Sequence, residues 1–130
     1  MKPTILVIED NDQNLYLVKF ILERHGYQVV TARDGATGIE TAQRLRPTLI
    51  LLDIQLPVMD GYAVARALRS NPELTHVPIV AITSYAMVGD REQVLAAGCS
   101  DYMEKPIDPE TFIADIRRYL PPLSGQDGDP

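Results

Sequence analysis

Two hydrophobic periods alternate along the chain. Residues 4–8 form a short, apolar, largely β-branched run, the pattern of a strand covered on both faces. From Asp12 the period lengthens to that of a helix: Leu15, Val18, Ile21 and Leu22 share one side, and Gly26 stands just past the end. Residues 27–32 read as a second strand and 35–45 as a second helix, closed before Pro47. Residues 48–52 are the most apolar stretch and predict a central strand ending at Asp53. Asp60 is placed to cap a third helix whose buried stripe includes Val64, Ala67 and Leu68. Residues 77–82 predict a fourth strand, 90–97 a weaker, Ala-rich helix, and 99–103 a short fifth strand. Asp108 and Pro109 supply a cap and a first-turn proline for a last helix over 110–119.

Strands that alternate with helices through short loops predict an α/β fold. Right-handed crossovers reduce its topology to a doubly wound, five-stranded parallel sheet of order 2-1-3-4-5 with five helices. One domain over residues 1–120 is expected, with the Pro/Gly/Asp-rich stretch 121–130 as a disordered tail or linker. Composition narrows the role. The chain has 130 residues, 45% hydrophobic, and a net charge of −6, against unaided binding to nucleic acid or anionic membrane. A single cysteine, Cys99, excludes an internal disulfide and a cysteine-built zinc cage. No apolar run approaches the ~20 residues of a membrane span, and the first residues do not form a signal peptide. A soluble cytoplasmic domain is expected.

In such sheets ligands bind beyond the carboxyl ends of the strands, where strand order reverses. The strand ends carry Glu9-Asp10, Asp53, Thr83 and Lys105, so the topology gathers three acids, a hydroxyl and an ammonium at one edge. Carboxylates ~4 Å apart repel by about 4 kcal/mol at an effective dielectric near 20, so such a cluster calls for raised pKa values or a hard cation. Mg²⁺ suits it, needing few carboxylates and keeping several waters. Beside a cation, Asp53 becomes a nucleophile toward phosphate, Lys105 a point charge for phosphoryl oxygens and Thr83 a donor. Small Ser84 leaves the approach open, and Gln55, Ser84 and Tyr85 flank the pocket and tune water access. Asp12 is left open between a helix cap and a solvated acid.

These residues resemble the receiver domain of two-component response regulators, the CheY-like family. The resemblance rests on Glu9-Asp10, on Asp53 within Asp53-Ile54-Gln55-Leu56-Pro57-Val58-Met59-Asp60-Gly61, on Thr83-Ser84, and on Asp101-Tyr102 followed by Lys105-Pro106. It spans residues 2–120 and is closest in pattern to stand-alone regulators such as DivK, or to receivers attached to hybrid kinases. It implies that Asp53 accepts a phosphoryl group from the phosphohistidine of a sensor histidine kinase or histidine phosphotransfer protein. It further implies Mg²⁺, with Mn²⁺ as an alternative, held by Asp10, Asp53 and the backbone carbonyl of Gln55, with Glu9 acting through water. Thr83 and Lys105 would hold the phosphoryl group, Lys105-Pro106 would be a cis peptide, and Tyr102 would be the switch aromatic. Glu9 stands where an aspartate is common. The fourth helix, which in this reading contains Gly89, would form the output face with the fifth strand and fifth helix. That face would serve a protein target or a weak dimer. The expected role is a signalling switch and not a metabolic enzyme.

Rival readings fare worse. A dinucleotide site needs a glycine-rich first turn, and Glu9-Asp10-Asn11-Asp12 has none. FMN would need a hydroxyl-rich phosphate loop there. A phosphatase of the haloacid dehalogenase type would need an aspartate where Gln55 stands. Two alternatives stay open: a receiver-like interaction module independent of phosphorylation, and the N-terminal receiver of a longer regulator.

Overall fold

The computed structural model describes residues 2–56, 59–84 and 90–120. Pro57, Val58, Tyr85, Gly89 and the expected tail 121–130 lie outside the described residues, as does the side chain of Asp90. The elements are β1 (Thr4–Ile8), α1 (Asp12–Arg24), β2 (Gln28–Ala32), α2 (Gly35–Leu45), β3 (Leu49–Asp53) and α3 (Gly61–Arg69). A 3₁₀ turn (Pro72–Leu74), β4 (Ile79–Thr83), α4 (Asp90–Ala96), β5 (Asp101–Glu104) and α5 (Pro109–Arg117) complete them. All strand pairings are parallel and the order is β2-β1-β3-β4-β5, the doubly wound sheet the alternation predicts.

Strand ends differ from the sequence reading because the ladder obeys backbone pairing, to which side-chain polarity is indifferent. Asp53 pairs with Ile82 and so belongs to β3, and Thr83 pairs with Glu104 and closes β4. Val77, expected in a strand, instead donates its N–H to Leu74 O at 3.1 Å, back into the 3₁₀ turn. Cys99 donates to Val94 O at 3.2 Å and finishes α4, so β5 starts later than expected. Gly98, at φ +111°, makes the left-handed turn between them. Arg46 makes a similar left-handed turn after α2 without a glycine, its N–H bonded to Ala42 O at 2.8 Å.

The helix caps follow the sequence at Asp60 and Asp108, whose side chains accept from Ala63 N and Glu110 N. At α1 the cap is Asn11, which accepts from Asn14 N at 2.9 Å. Asp12 is the first helical residue and pairs with Arg33, so it does not cap. In α3 the buried stripe is Gly61, Val64, Ala65 and Leu68, at i, i+3, i+4 and i+7; Ala67 falls off that arc and is half-buried.

Side chains along each central strand alternate between two cores. Leu6, Ile8, Ile50, Leu52 and Ala81 pack with Val64, Leu68 and Val94 from α3 and α4. Ile5, Val7, Leu49, Leu51, Val80 and Ile82 pack with Val18, Leu22, Phe112 and Ile116 from α1 and α5. The period-2 geometry of a strand produces this division, and burial on both sides explains why these strands are apolar throughout.

At the edge of the second core, the Tyr119 hydroxyl donates to Asp101 Oδ2 at 2.5 Å. Burial alone would raise the Asp101 carboxyl. The Tyr119 hydroxyl, the Tyr102 amide and the nearby Arg91 and Arg118 more than reverse this and hold it below the ordinary carboxylate value. A carboxyl lowered on folding stabilises the native state above its unfolded pKa, and that contribution fades as pH falls through the folded value. Tyr119→Phe should therefore lower unfolding free energy by about 1.5–3 kcal/mol at pH 7, the range for a hydrogen bond to a charged group. In urea titrations the gap between the two proteins should narrow below about pH 4 as Asp101 protonates.

Candidate functional site

The carboxyl ends of β1, β3, β4 and β5 meet at one edge because the four strands are adjacent and parallel. Glu9 follows β1 directly; its N–H bonds Ala32 O at 2.9 Å, which fixes the chain as it leaves the sheet. Glu9, Asp10 and Asp53 bring one carboxylate oxygen each to within 4.8 Å of one another. Glu9 and Asp53 are buried, at 3% and 2% exposure, which makes this a built cluster rather than a solvated acidic face.

Lys105 provides the counter-charge. Its Nζ lies 3.4 Å from Glu9 Oε1 and 3.3 Å from Asp53 Oδ2. Its own N–H bonds Thr83 O at 2.8 Å, which ties the segment after β5 to the end of β4, and the Lys105-Pro106 peptide is cis. The other carboxylate oxygens of Glu9 and Asp53 have backbone donors: Asn11 N to Glu9 Oε2 at 3.1 Å and Gln55 N to Asp53 Oδ1 at 2.9 Å. Burial pushes the Glu9 carboxyl up to about 7, and the hydrogen bond and repulsion from Asp53 add to the rise. The Asn11 amide and Lys105 oppose it without reversing it. Three acids set against one ammonium leave the pocket short of positive charge.

Thr83 is buried at the end of β4, beside this cluster in the strand order. Tyr102 sits one strand further out on β5, half-buried and packed against the first core. Two contacts escaped the sequence reading. Arg33 donates to Asp10 O at 3.3 Å, and Gln55 Oε1 accepts the Ser84 N–H at 3.1 Å. Only the second had a legible signal, since adjacency of β3 and β4 puts residues 55 and 84 on neighbouring exits.

Similarity to known proteins agrees with this geometry. Residues 5–117 match the family described as the response regulator receiver domain. The polar-differentiation response regulator DivK of Brucella anthropi is 39% identical over 120 residues, which cover 92% of this chain and 98% of that protein. The receiver domain of the sensor histidine kinase PA1611 from Pseudomonas aeruginosa, solved with a magnesium ion in its active-site cleft, is 37% identical. It superposes with a TM-score of 0.84 over 92% of this chain and 98% of that one. The chemotaxis protein CheY4 of Vibrio cholerae gives a TM-score of 0.88 at 28% identity, covering 92% of this chain and all of that one. A family match that runs from the second residue of β1 to the end of α5 leaves one reading of its ancestry: the chain belongs to the response regulator receiver domain family of two-component signalling.

Proposed function

We propose that this receiver takes a phosphoryl group onto Asp53 from the phosphohistidine of a sensor histidine kinase or histidine phosphotransfer protein. The observation that carries the reading is a buried strand-end carboxylate, Asp53, flanked by two further acids and 3.3 Å from a nearly buried ammonium. A carboxylate oxygen of Asp53 attacks phosphorus; as the O–P bond forms, the P–N bond of the donor breaks and its electron pair leaves with the imidazole nitrogen. Lys105 takes the charge gathering on the phosphoryl oxygens, and Thr83 donates its hydroxyl to one of them.

The donor set fits a hard divalent cation: the converging atoms are carboxylate oxygens, and a single ammonium does not balance them. Asp10, Asp53 and the Gln55 carbonyl would hold Mg²⁺, with Glu9 acting through water; Mn²⁺ meets the same oxygen preference. When bound, the cation supplies positive charge that screens the carboxylate from the incoming phosphoryl oxygens.

Phosphorylation adds roughly −1.5 to −2 charges at this edge, and Thr83 gains an interaction there that draws Tyr102 inward. The output is protein contact at α4, β5 and α5, where a cleft of about 390 Å³ is lined by Arg91, Tyr102, Asp115, Arg118 and Tyr119 among others. The same face would serve a weak dimer. No helix among the described residues is long and apolar enough to cross a membrane, in keeping with a cytoplasmic switch. Residues 1–120 constitute the receiver, and 121–130 a tail or linker.

Intact-protein mass after incubation with Mg²⁺ and acetyl phosphate tests the acceptor. One phosphoryl group should appear on the wild type and none on Asp53→Asn. Equal labelling of both would move the acceptor elsewhere. Failure of the wild type with acetyl phosphate and with a phosphohistidine donor would leave only a phosphorylation-independent module.

A further inference from the structure

Asp10 is the least supported of the three converging acids. Lys105 and backbone amides hold the carboxylates of Glu9 and Asp53. Among the described residues the Asp10 carboxylate makes no hydrogen bond or ion pair, so its position is set through its backbone. That backbone is held from the neighbouring strand. β1 and β2 leave the sheet side by side, with Ile8 paired to Ala32 and Glu9 N bonded to Ala32 O at 2.9 Å. Arg33 is the next residue after β2. One terminal nitrogen of its guanidinium donates to Asp10 O at 3.3 Å and the other to Asp12 Oδ1. The two acceptors stand on either side of Asn11, so the planar fork spans the turn that leads from β1 into α1. Its Asp12 end is the anchor, because an ionised acceptor binds more strongly than a carbonyl.

We propose that Arg33 is a positioning residue for Asp10: by bridging Asp12 and the Asp10 carbonyl, it holds the turn in the form that aims the Asp10 carboxylate at a divalent cation. The inference rests on the reading of Asp10, Asp53 and the Gln55 carbonyl as Mg²⁺ ligands. Mg²⁺ demands near-ideal octahedral geometry, so a ligand carried on an unsteadied turn loses affinity. Arg33 also brings a positive charge near the acids, which by itself repels a cation. Asp12 neutralises that charge across the salt bridge, so the pair orients Asp10 while adding no net charge beside the site. Asp12, a good cap in sequence that does not cap, thereby has a use at the first position of α1.

Calorimetric Mg²⁺ titrations of wild type, Arg33→Lys, Asp12→Ala and the double variant separate positioning from charge. Lysine keeps the charge but is a single point, unable to hold both acceptors. Mg²⁺ affinity should fall about three- to tenfold in Arg33→Lys, the low end for a partner that orients a ligand, since this pair is open to solvent. The double variant should bind no more weakly than Asp12→Ala, because the fork has already lost its anchor and the charge is the same in both. In metal-free Arg33→Lys, the Asp10 carbonyl carbon resonance should move upfield as its hydrogen bond is lost. Wild-type affinity in Arg33→Lys, or losses that add in the double variant, overturns the proposal and leaves Arg33 a charge only. Wild-type protein that takes up no Mg²⁺ overturns the metal-site reading, and the claim on affinity falls with it. An Asp10 carbonyl resonance unmoved in Arg33→Lys would then remove the bridge as well.

Discussion

Lys105→Met should slow phosphoryl uptake from acetyl phosphate by about 100-fold, the usual loss when one preorganised charge partner is removed from a transferring group. Lys105 Nζ stands within 3.4 Å of both Glu9 and Asp53, and its side chain is only 14% exposed. Its charge therefore acts with little screening where phosphoryl charge develops. Met retains most of the aliphatic stem, so the packing around it survives. Without Mg²⁺, stability should fall by about 3–5 kcal/mol, because removing the ammonium leaves the buried Glu9 and Asp53 carboxylates without their counter-charge. Mg²⁺, no longer competing with an ammonium for the acids, should bind more tightly, as calorimetric titration would read. A mass time course that matches wild type would remove Lys105 from the transfer machinery. Weaker Mg²⁺ binding would show that the ammonium organises the acids instead of competing for them.

Gly61→Ala should lower unfolding free energy by about 3 kcal/mol, at the upper end for overpacking. A Cβ at this position would meet Ile54 Cα at 2.3 Å and Asp53 O at 2.9 Å. These are backbone atoms and cannot rotate aside. The Gly61 N–H is also bonded to Ile54 O at 2.9 Å, so relief has to come from moving the end of β3 or the start of α3. Either movement displaces Asp53, and phosphoryl uptake should drop along with denaturant stability. A variant with wild-type stability would mean that the loop between β3 and α3 yields at little cost.

The strand order was legible because parallel connections leave few choices once strands and helices alternate, and that order alone places residues 9, 10, 53, 83 and 105 at one edge. Asp53 could be read in this way since it ends an apolar run, and Lys105 since it follows the short fifth strand. Local geometry was less legible. Asn11 and Asp12 are both good caps in sequence, and only the backbone at Asn11, extended at φ −84° and ψ 120°, decides between them. Arg46 gave no sign of a left-handed turn, since arginine has no preference for one. Strand order puts residues 55 and 84 on neighbouring exits, but the Gln55–Ser84 bond itself depends on a side-chain rotamer, which periodicity does not encode.

The two-sided burial of β3 leaves the placement of that strand undetermined by hydrophobicity. Leu49, Ile50, Leu51 and Leu52 are all fully buried, two toward each core. A slip by one residue would exchange the faces while exposing no apolar side chain, the very situation in which the usual penalty for misregister disappears. What such a slip would move is Asp53, drawn inward to a place among aliphatic side chains and away from Lys105, and a carboxylate there is prohibitively costly. The acid at the end of the strand is thus its index mark, and the residue proposed to carry the phosphoryl group also tells the central strand where to stop.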